Sequence, residues 1–369
     1  MTTRVITQVN RNNQTSGQII NGTTDDVLEF DLGNQNHTIL NGGNFPGEIR
    51  VKTGSLTVNG NLAAHTYNVA AGATLNLSNL LLNNASGGTE TEITQNGTNY
   101  TVHSFTSNGS FNTAINITGA GTVIGPEVEY LVLGGAGQGG TGHAGAGAGG
   151  GEVLEGTTNI TSSSLNVIIG DGGEGGTGSP TYLPAGNGSS SSLGNITAQG
   201  GGRGGSVYSS GGIQSVPAGI GGGETQMGGT VAPKGAPNPN GYIGGESSHR
   251  SQIYQPTAGG GAGAGGDGGN GTFGTNGDSG DGGVGITTNI TGTPTEIAGG
   301  GGGGVRNDWA STQAGSASHG GGVGGRGAKG GDGQANRGAG GGGGSRRNNG
   351  ITYPGGKGST GWVVVRRKR

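Results

Sequence analysis

Glycine is spread so unevenly along this chain that its placement limits the fold more than any motif does. Residues 134–361 hold 81 of the 97 glycines, about 36% of that stretch, against 16 glycines in residues 1–133, about 12%. The runs at 299–304 and 340–344 are unbroken glycine. Glycine loses the most backbone entropy on folding and brings no side chain to bury. Pro and Gly together make about 29% of the chain without a collagen-type period of three, the composition of low-complexity chain. A glycine-rich chain that does order has few regular options. In a helix each Gly costs about 1 kcal/mol relative to Ala, and glycine weakens strands too. What remains is an extended helix of three residues per turn, resembling polyproline II. Without side chains such rods can pack backbone to backbone, each N–H finding a carbonyl on a neighbouring rod. Residues 134–361 are therefore expected to form packed polyglycine II rods, with the other residue types at turns and surfaces.

The preceding part reads differently. Residues 1–33 are polar and look like an attachment segment that enters a strand. From 37 to 84 apolar residues alternate in pairs, Ile49/Val51, Leu56/Val58, Tyr67/Val69 and Leu75/Leu77, separated by turn formers such as Thr53–Gly54 and Ala71–Gly72. This is the strand period repeated as a ladder. It suits a β-helix-like or prism-like stem, of the kind often completed by other copies of the chain. Residues 89–99 read as a polar connector and 101–117 as a hairpin about 106–109. The near-continuous apolar run 128–133 is the best candidate for a buried strand. Further strand-like pieces fall at 151–154, 165–169, 192–197, 286–290, 295–298 and 362–365, and no segment has helical periodicity. The expected fold is all-β. A short-strand stem at residues 1–99 serves attachment or trimerisation, and a glycine-rich domain follows at 100–369.

Charge is also uneven. The net charge is −3, yet from residue 302 onward there are eleven Lys and Arg against two Asp. Such asymmetry fits nucleic-acid or membrane contact, or a basic tail that meets acidic surface on a neighbouring subunit. Arg366–Arg369 is short for a nucleic-acid signature, and the expectation is acidic surface, with neither nucleic acid nor membrane insertion. Cysteine is absent, which removes disulfides, thiolate metal sites and Cys nucleophiles. The N-terminus has no apolar signal core, and no apolar run reaches spanning length.

The order of the pieces VHSFTSNGSFNT, VEYLVLGGAGQGG, GEVLEG, LNVIIGDGGEGG, SSSLGNITAQGGG, TEIAGGGGGG and GKGSTGWVVVRR resembles the glycine-rich domain of bacteriophage tail-fibre and other virion proteins, over about residues 100–369. The chain is similar in composition to the glycine-rich adhesins at phage fibre tips, which have a polyglycine sandwich whose loops contact the host surface. The inserts at 207–245 and 309–319 depart from that pattern, so the resemblance assigns no individual contact residue.

Several motifs mimic enzymes. GAGQGG at 135–140 is a formal dinucleotide fingerprint after a strand, but the residues that follow cannot form the required helix. In GGKGST at 355–360, Gly358 separates Lys357 from the hydroxyl that a phosphate loop needs next to it. The histidines at 37, 65, 103, 143, 249 and 319 lack metal-ligand spacing. Asp267, Asp278 and Asp281 sit in glycine-rich context without the nine-residue register of calcium-binding repeats, and read as turn aspartates. Glu127, Glu129, Glu152 and Glu155 are acids without an evident groove, and their expected place is the solvent face of strands. No metal, cofactor or catalytic residue is expected.

Binding is the better fit. Aromatics are scarce, and several stand in the glycine-rich inserts, where they either cap rods or are displayed for recognition. Candidate contacts are Tyr208, Tyr242, His249, Arg250, Tyr254, Phe273, Arg306, Trp309 and Tyr353, with His249–Arg250–Tyr254 and Arg306–Trp309 as the favoured clusters. What the residues and the resemblance imply together is a non-enzymatic phage virion protein, assembled in the host cytoplasm. It would be a tail-fibre or adhesin subunit whose partners are copies of itself in a homotrimer, other virion proteins through the N-terminal domain, and a host surface glycan or outer-membrane protein. A head fibre or capsid decoration protein is the alternative within the virion. An ice-binding protein and a polysaccharide depolymerase are the alternatives outside that class.

Overall fold

The computed structural model describes residues 3–7, 27–40, 43–60, 62–209, 213–216, 218–227, 230–250, 253–272, 277–306 and 312–369. It is all-β, with no helix among these residues. The first strands are β1 (Thr3–Thr7), β2 (Val27–Leu40), β3 (Gly43–Gly60), β4 (Leu62–Val69) and β5 (Thr74–Leu80). They are followed by β6 (Thr89–Gln95), β7 (Thr98–Phe105), β8 (Gly109–Asn112), β9 (Ile117–Gly119), β10 (Thr122–Ile124), β11 (Glu127–Leu133) and β12 (Val153–Asn159). Next come β13 (Ser164–Ile168), β14 (Ser191–Leu193) and β15 (Ile196–Ala198), then β16 (Ser206–Ser209) with β17 (Ile213–Val216), and β18 (Thr225–Met227) with β19 (Thr230–Ala232). The last are β20 (Ser248–Arg250) with β21 (Ile253–Thr257), β22 (Ile286–Thr288) with β23 (Thr295–Ile297), and β24 (Trp362–Lys368).

The stem is one curled parallel sheet of order β1-β2-β3-β4-β9, with β5 joining β3 to β10. Its register stacks like on like. Leu28 lies beside Ile49, Ile49 beside Tyr67, and Tyr67 beside Ile117. A second column runs Leu56, Leu75, Val123. The alternating pairs of the sequence are thus the inward residues of successive coils, and Ile49, Val51, Leu56, Val58, Tyr67, Val69, Leu75 and Leu77 are all buried. The bend within β3 falls at Gly54, whose φ is +76° and where a Cβ would lie inside 3.0 Å of neighbouring atoms. Only glycine takes that conformation without strain. The chain leaves the stem after β5 and returns to it as β9 and β10.

The stem stands on an antiparallel sheet of order β12-β11-β24-β7-β6. Its central strands β11 and β24 are covered on both faces, which explains the unbroken apolar run of β11. Val128 and Val132, with Val363 and Val365 of β24, join the stem core around Phe30 and Phe111. Leu131 and Leu133, with Trp362 and Val364, face the opposite way and pack on Ile290 and Ile297 of the β22–β23 hairpin region. The stem and this base sheet therefore share one continuous core.

Two segments differ from their sequence reading. Residues 89–99, expected as a connector, form a hairpin of β6 and β7. β6 is an exposed edge strand without apolar alternation, and its mark is the Asn96–Gly97 turn, with φ of 51° and 76°. Residues 101–117 are not a hairpin. β7 pairs with β24 and β6, whereas β8 pairs with β13 in a second sheet of order β15-β14-β13-β8. Non-local pairing overrides the local turn.

From the base, extended glycine-rich rods run out and back. Residues 134–140 show the rule. The N–H groups of Gly134, Gly137 and Gly140 reach Glu152, Gly149 and Ala146; those of Gly135 and Gln138 reach Ser189 and Gly186; those of Ala136 and Gly139 reach Ser359 and Gly356. Every third residue thus points at the same neighbour, the period of polyglycine II. Three more rods donate in return, through Gly201 and Gly204, Gly173, and Gly341 and Gly344. Each such interior rod has six neighbours, three receiving its hydrogen bonds and three supplying theirs. The rods at 145–150, 258–264, 299–304 and 340–344 have the same surroundings. A Cβ on Gly137, Gly147, Gly301 or Gly343 would fall well inside 3.0 Å of a neighbouring carbonyl, so at these positions the glycine is dictated by packing.

At the rim of the bundle, side chains replace missing rods. Asp267 and Asn270 accept from the backbone N–H of Ile243 and Glu246 at 2.8 and 2.7 Å. Asp278 and Asp281 accept from Gln313 and Ser316 at 2.7 and 2.6 Å. The three-residue spacing within each pair of side chains matches the rod period. They are edge acceptors, and among the described residues no three acidic or histidine side chains could hold a metal ion.

Candidate functional site

Each rod that leaves the base must turn back, and those turns collect at the far end of the bundle. The described residues of the far-end connections are 142–144, 179–184, 206–209 with 213–216, 225–227 with 230–232, 248–250 with 253–257, 272 with 277–278, 305–306 with 312, 326–328 and 345–352. Bridges tie them together: Gly142 to Val207, Ala144 to Ser345, Thr257 to Val305, Val305 to Arg326, and Arg346 to Thr352. The hairpins β16–β17, β18–β19 and β20–β21 also pack on one another. Base-end turns between rods include 319–320 and 335–338.

This distribution sorts the sequence candidates. Tyr208 lies on β16, His249 and Arg250 on β20, and Tyr254 on β21, all strands of far-end hairpins. Arg306 and Tyr353 are half-buried at the same end. Tyr242 is the exception. Its N–H donates to Asn238 Oδ1 at 3.0 Å in a base-end turn, where Asn238 Nδ2 also donates to Gly263 O. Phe273 and Trp309 lie outside the described residues.

Two residues not chosen from sequence stand beside Arg306. His143 is 6% exposed, and Arg346 Nη1 donates to its Nε2 at 3.1 Å. The backbone N–H of Arg346 donates to the carbonyl of His143, and that of His143 to Val207. Burial, reinforced by the charges of Arg346 and Arg306, pushes the His143 pKa down from 6.5 to about 4. The ring is neutral near pH 7 and its Nε2 is occupied, so it is no general base there. Burial and the nearby Arg346 likewise hold the Arg306 guanidinium below its usual range. At the end of the adjoining rod, Thr141 is fully buried and its hydroxyl has no partner. The site presents positive charge and hydrogen-bond donors, with aromatic residues close in sequence. No local pattern marks His143 and Arg346 as a pair, since they are brought together by the rods between them.

A second polar groove lies between the stem and the base sheet, along Glu90, Glu92, Thr101, Arg367 and Arg369. His103, fully buried, donates through Nδ1 to Gly87 O at 3.0 Å and accepts from Arg367 Nε at 3.2 Å. Its ring edge meets Phe111 at 5.0 Å, and burial lowers its pKa. Arg369 pairs with Glu92 at 2.6 Å and Arg366 with Glu129. The acidic surface met by the basic tail thus belongs to its own chain. Glu152 accepts from the Gln199 N–H and Glu155 from the Thr288 hydroxyl. These charges fasten strands together.

The fold and this far-end site define a class: an all-β protein in which a bundle of hydrogen-bonded glycine rods carries clustered connections away from a parallel-sheet stem. Residues 106–368 match the model of the family described as the glycine-rich domain, and the chain belongs to that family. No curated protein matches the sequence.

Proposed function

We propose that the protein is a bacteriophage virion component, a tail-fibre or adhesin subunit that binds a host surface receptor without chemistry. The observation that carries this reading is the division of labour along the molecule. The bundle interior is fixed by glycine contacts, while chemically varied connections, several of them small hairpins packed on one another, gather at the end away from the stem. Binding groups are commonly carried on loops held by a rigid scaffold. The resemblance of the ordered strand and glycine pieces to phage virion proteins supplies the setting. In this reading the stem faces the particle and other copies of the chain, as a homotrimer, and the far end faces the cell.

The test is binding of labelled protein to cells of candidate hosts. It is compared with a variant in which the β20–β21 hairpin and the 306–311 connection are both shortened to glycine-containing turns, and a melting curve checks that the variant folds. Binding by the full chain and loss in the shortened variant is the expected result. Binding to none of the cells, or undiminished binding by a folded shortened variant, overturns it.

A further inference from the structure

We infer that the far end of the bundle holds an oxyanion site, built on Arg346 beside His143, for a carboxylate- or phosphate-bearing sugar of a surface polysaccharide. This deepens the attachment reading and rests on it.

Charge placement points first to an anion. The described residues of the far-end connections include five arginines, at 250, 306, 326, 346 and 347, one aspartate, Asp278, and no lysine. They are thus cationic on a chain whose net charge is −3. Asp278 is committed to the Gln313 N–H. The lysines on the flanks of the rods are neutralised, Lys234 by Glu246 at 2.7 Å, Lys329 by Asp332 at 2.8 Å and Lys357 by Glu174 at 2.6 Å. Arg346 is different. Its guanidinium rests on a neutral imidazole, and among the described residues no carboxylate forms an ion pair with it. Arg306 adds positive potential at the same place.

Geometry then favours a bound group over a merely solvated charge. Nη1 of Arg346 is held on the His143 ring, which orients the guanidinium fork. Arginine's planar fork matches carboxylate and phosphate oxygens in a way that an ammonium does not. The turn after it presents apolar surface. Ile351 is 43% exposed, its carbonyl accepts from the Arg347 N–H, and Tyr353 follows half-buried. An anionic group next to an apolar face is the chemistry of an acidic sugar ring rather than of a free inorganic ion.

The experiment uses the full chain on surfaces coated with polygalacturonate, a polyglycerol-phosphate teichoic acid, or neutral dextran. Variants are Arg346→Ala, Arg346→Lys and Lys357→Ala, each checked by melting curve. Binding to one or both charged polymers and not to dextran is expected, weakened at least about tenfold by Arg346→Ala. Arg346→Lys falls between, and Lys357→Ala matches the parent. Which polymer binds separates a carboxylate from a phosphate source. No binding to either charged polymer, or Arg346→Ala equal to the parent, overturns the site. Binding of the same variants to cells separates the two readings. If Arg346→Ala keeps full cell binding, the oxyanion site is wrong and attachment stands. If the parent binds polymer but no cell, attachment is wrong and the oxyanion site stands. If Arg346→Ala abolishes cell binding while no polymer binds, the glycan assignment is overturned in favour of a protein receptor.

Discussion

In the stem, Leu28, Ile49, Tyr67 and Ile117 stack side chain on side chain. In the rod bundle the same central place is taken by Gly137, Gly301, Gly341 and their neighbours, which touch through backbone alone. The stem draws on apolar burial and tolerates some change of shape, since side chains can repack. The bundle draws on satisfied backbone hydrogen bonds and close approach, and it has no slack. Two regions of one chain thus follow opposite rules for what a core residue must be. One asks for volume, the other for its absence.

The largest test of that contrast is a methyl group in the bundle. Gly301→Ala places a Cβ against the Gly341 carbonyl with backbone on all sides, and a loss of more than about 4 kcal/mol is expected in denaturant unfolding. A variant as stable as the parent would break the account of the rods. In the stem the opposite change is the costly one. Leu75→Ala, at a fully buried position, should lose about 3 kcal/mol by the same measurement.

Acid provides a probe without mutation. The native state holds His143 deprotonated down to about pH 4, while the unfolded chain takes up a proton near 6.5. The folded protein therefore binds fewer protons between these values. The His143 contribution is fully present above about pH 6.5 and is lost progressively as pH falls toward 4, by up to about 3 kcal/mol. In His143→Gln, stability measured at pH 7 and at pH 4.5 should differ less than in the parent; an unchanged difference would remove His143 as the cause. The smallest effect is at the rim. Asp281→Ala deletes one acceptor for the Ser316 N–H at an exposed edge and should lower stability by about 1 kcal/mol. A loss as large as that of Gly301→Ala would mean that the rim is no softer than the interior.

Much of this architecture was legible in the residues. Glycine content excluded helices and ordinary strands, and the extended rod was the regular form left. The pairs from Ile49/Val51 to Leu75/Leu77 marked the inward faces of the stem, and the apolar run of β11 marked a strand covered on both sides. What stayed hidden was non-local. The Asn96–Gly97 turn was a local signal for the β6–β7 hairpin, but a strand reading Thr-Glu-Thr-Glu has no apolar face to reveal it. Asp278 and Asp281 carry the rod period in their spacing, yet their role shows only once Gln313 and Ser316 lie opposite. Of the candidate contacts, Arg306 was visible as a charge in an insert. His143 and Arg346 become neighbours only through the rods between them, and residue spacing does not encode that.

The place of β24 bears on how the molecule comes to exist at all. It lies between β11 and β7, with Trp362 beside Leu133 and Val363 beside Phe105. Until it arrives the base sheet is two separate pieces, and each of the two main cores lacks two residues that β24 supplies, Val363 and Val365 in one and Trp362 and Val364 in the other. Closing a loop from Leu133 to Trp362 means ordering the intervening rods or tolerating a very long excursion, and topologies of such high contact order fold slowly. During synthesis, a nascent chain that has emitted the stem and every rod still lacks the strand that locks them. Native structure is therefore a late event, and until then the exposed edges of β11 and β7 are open to pairing with another copy.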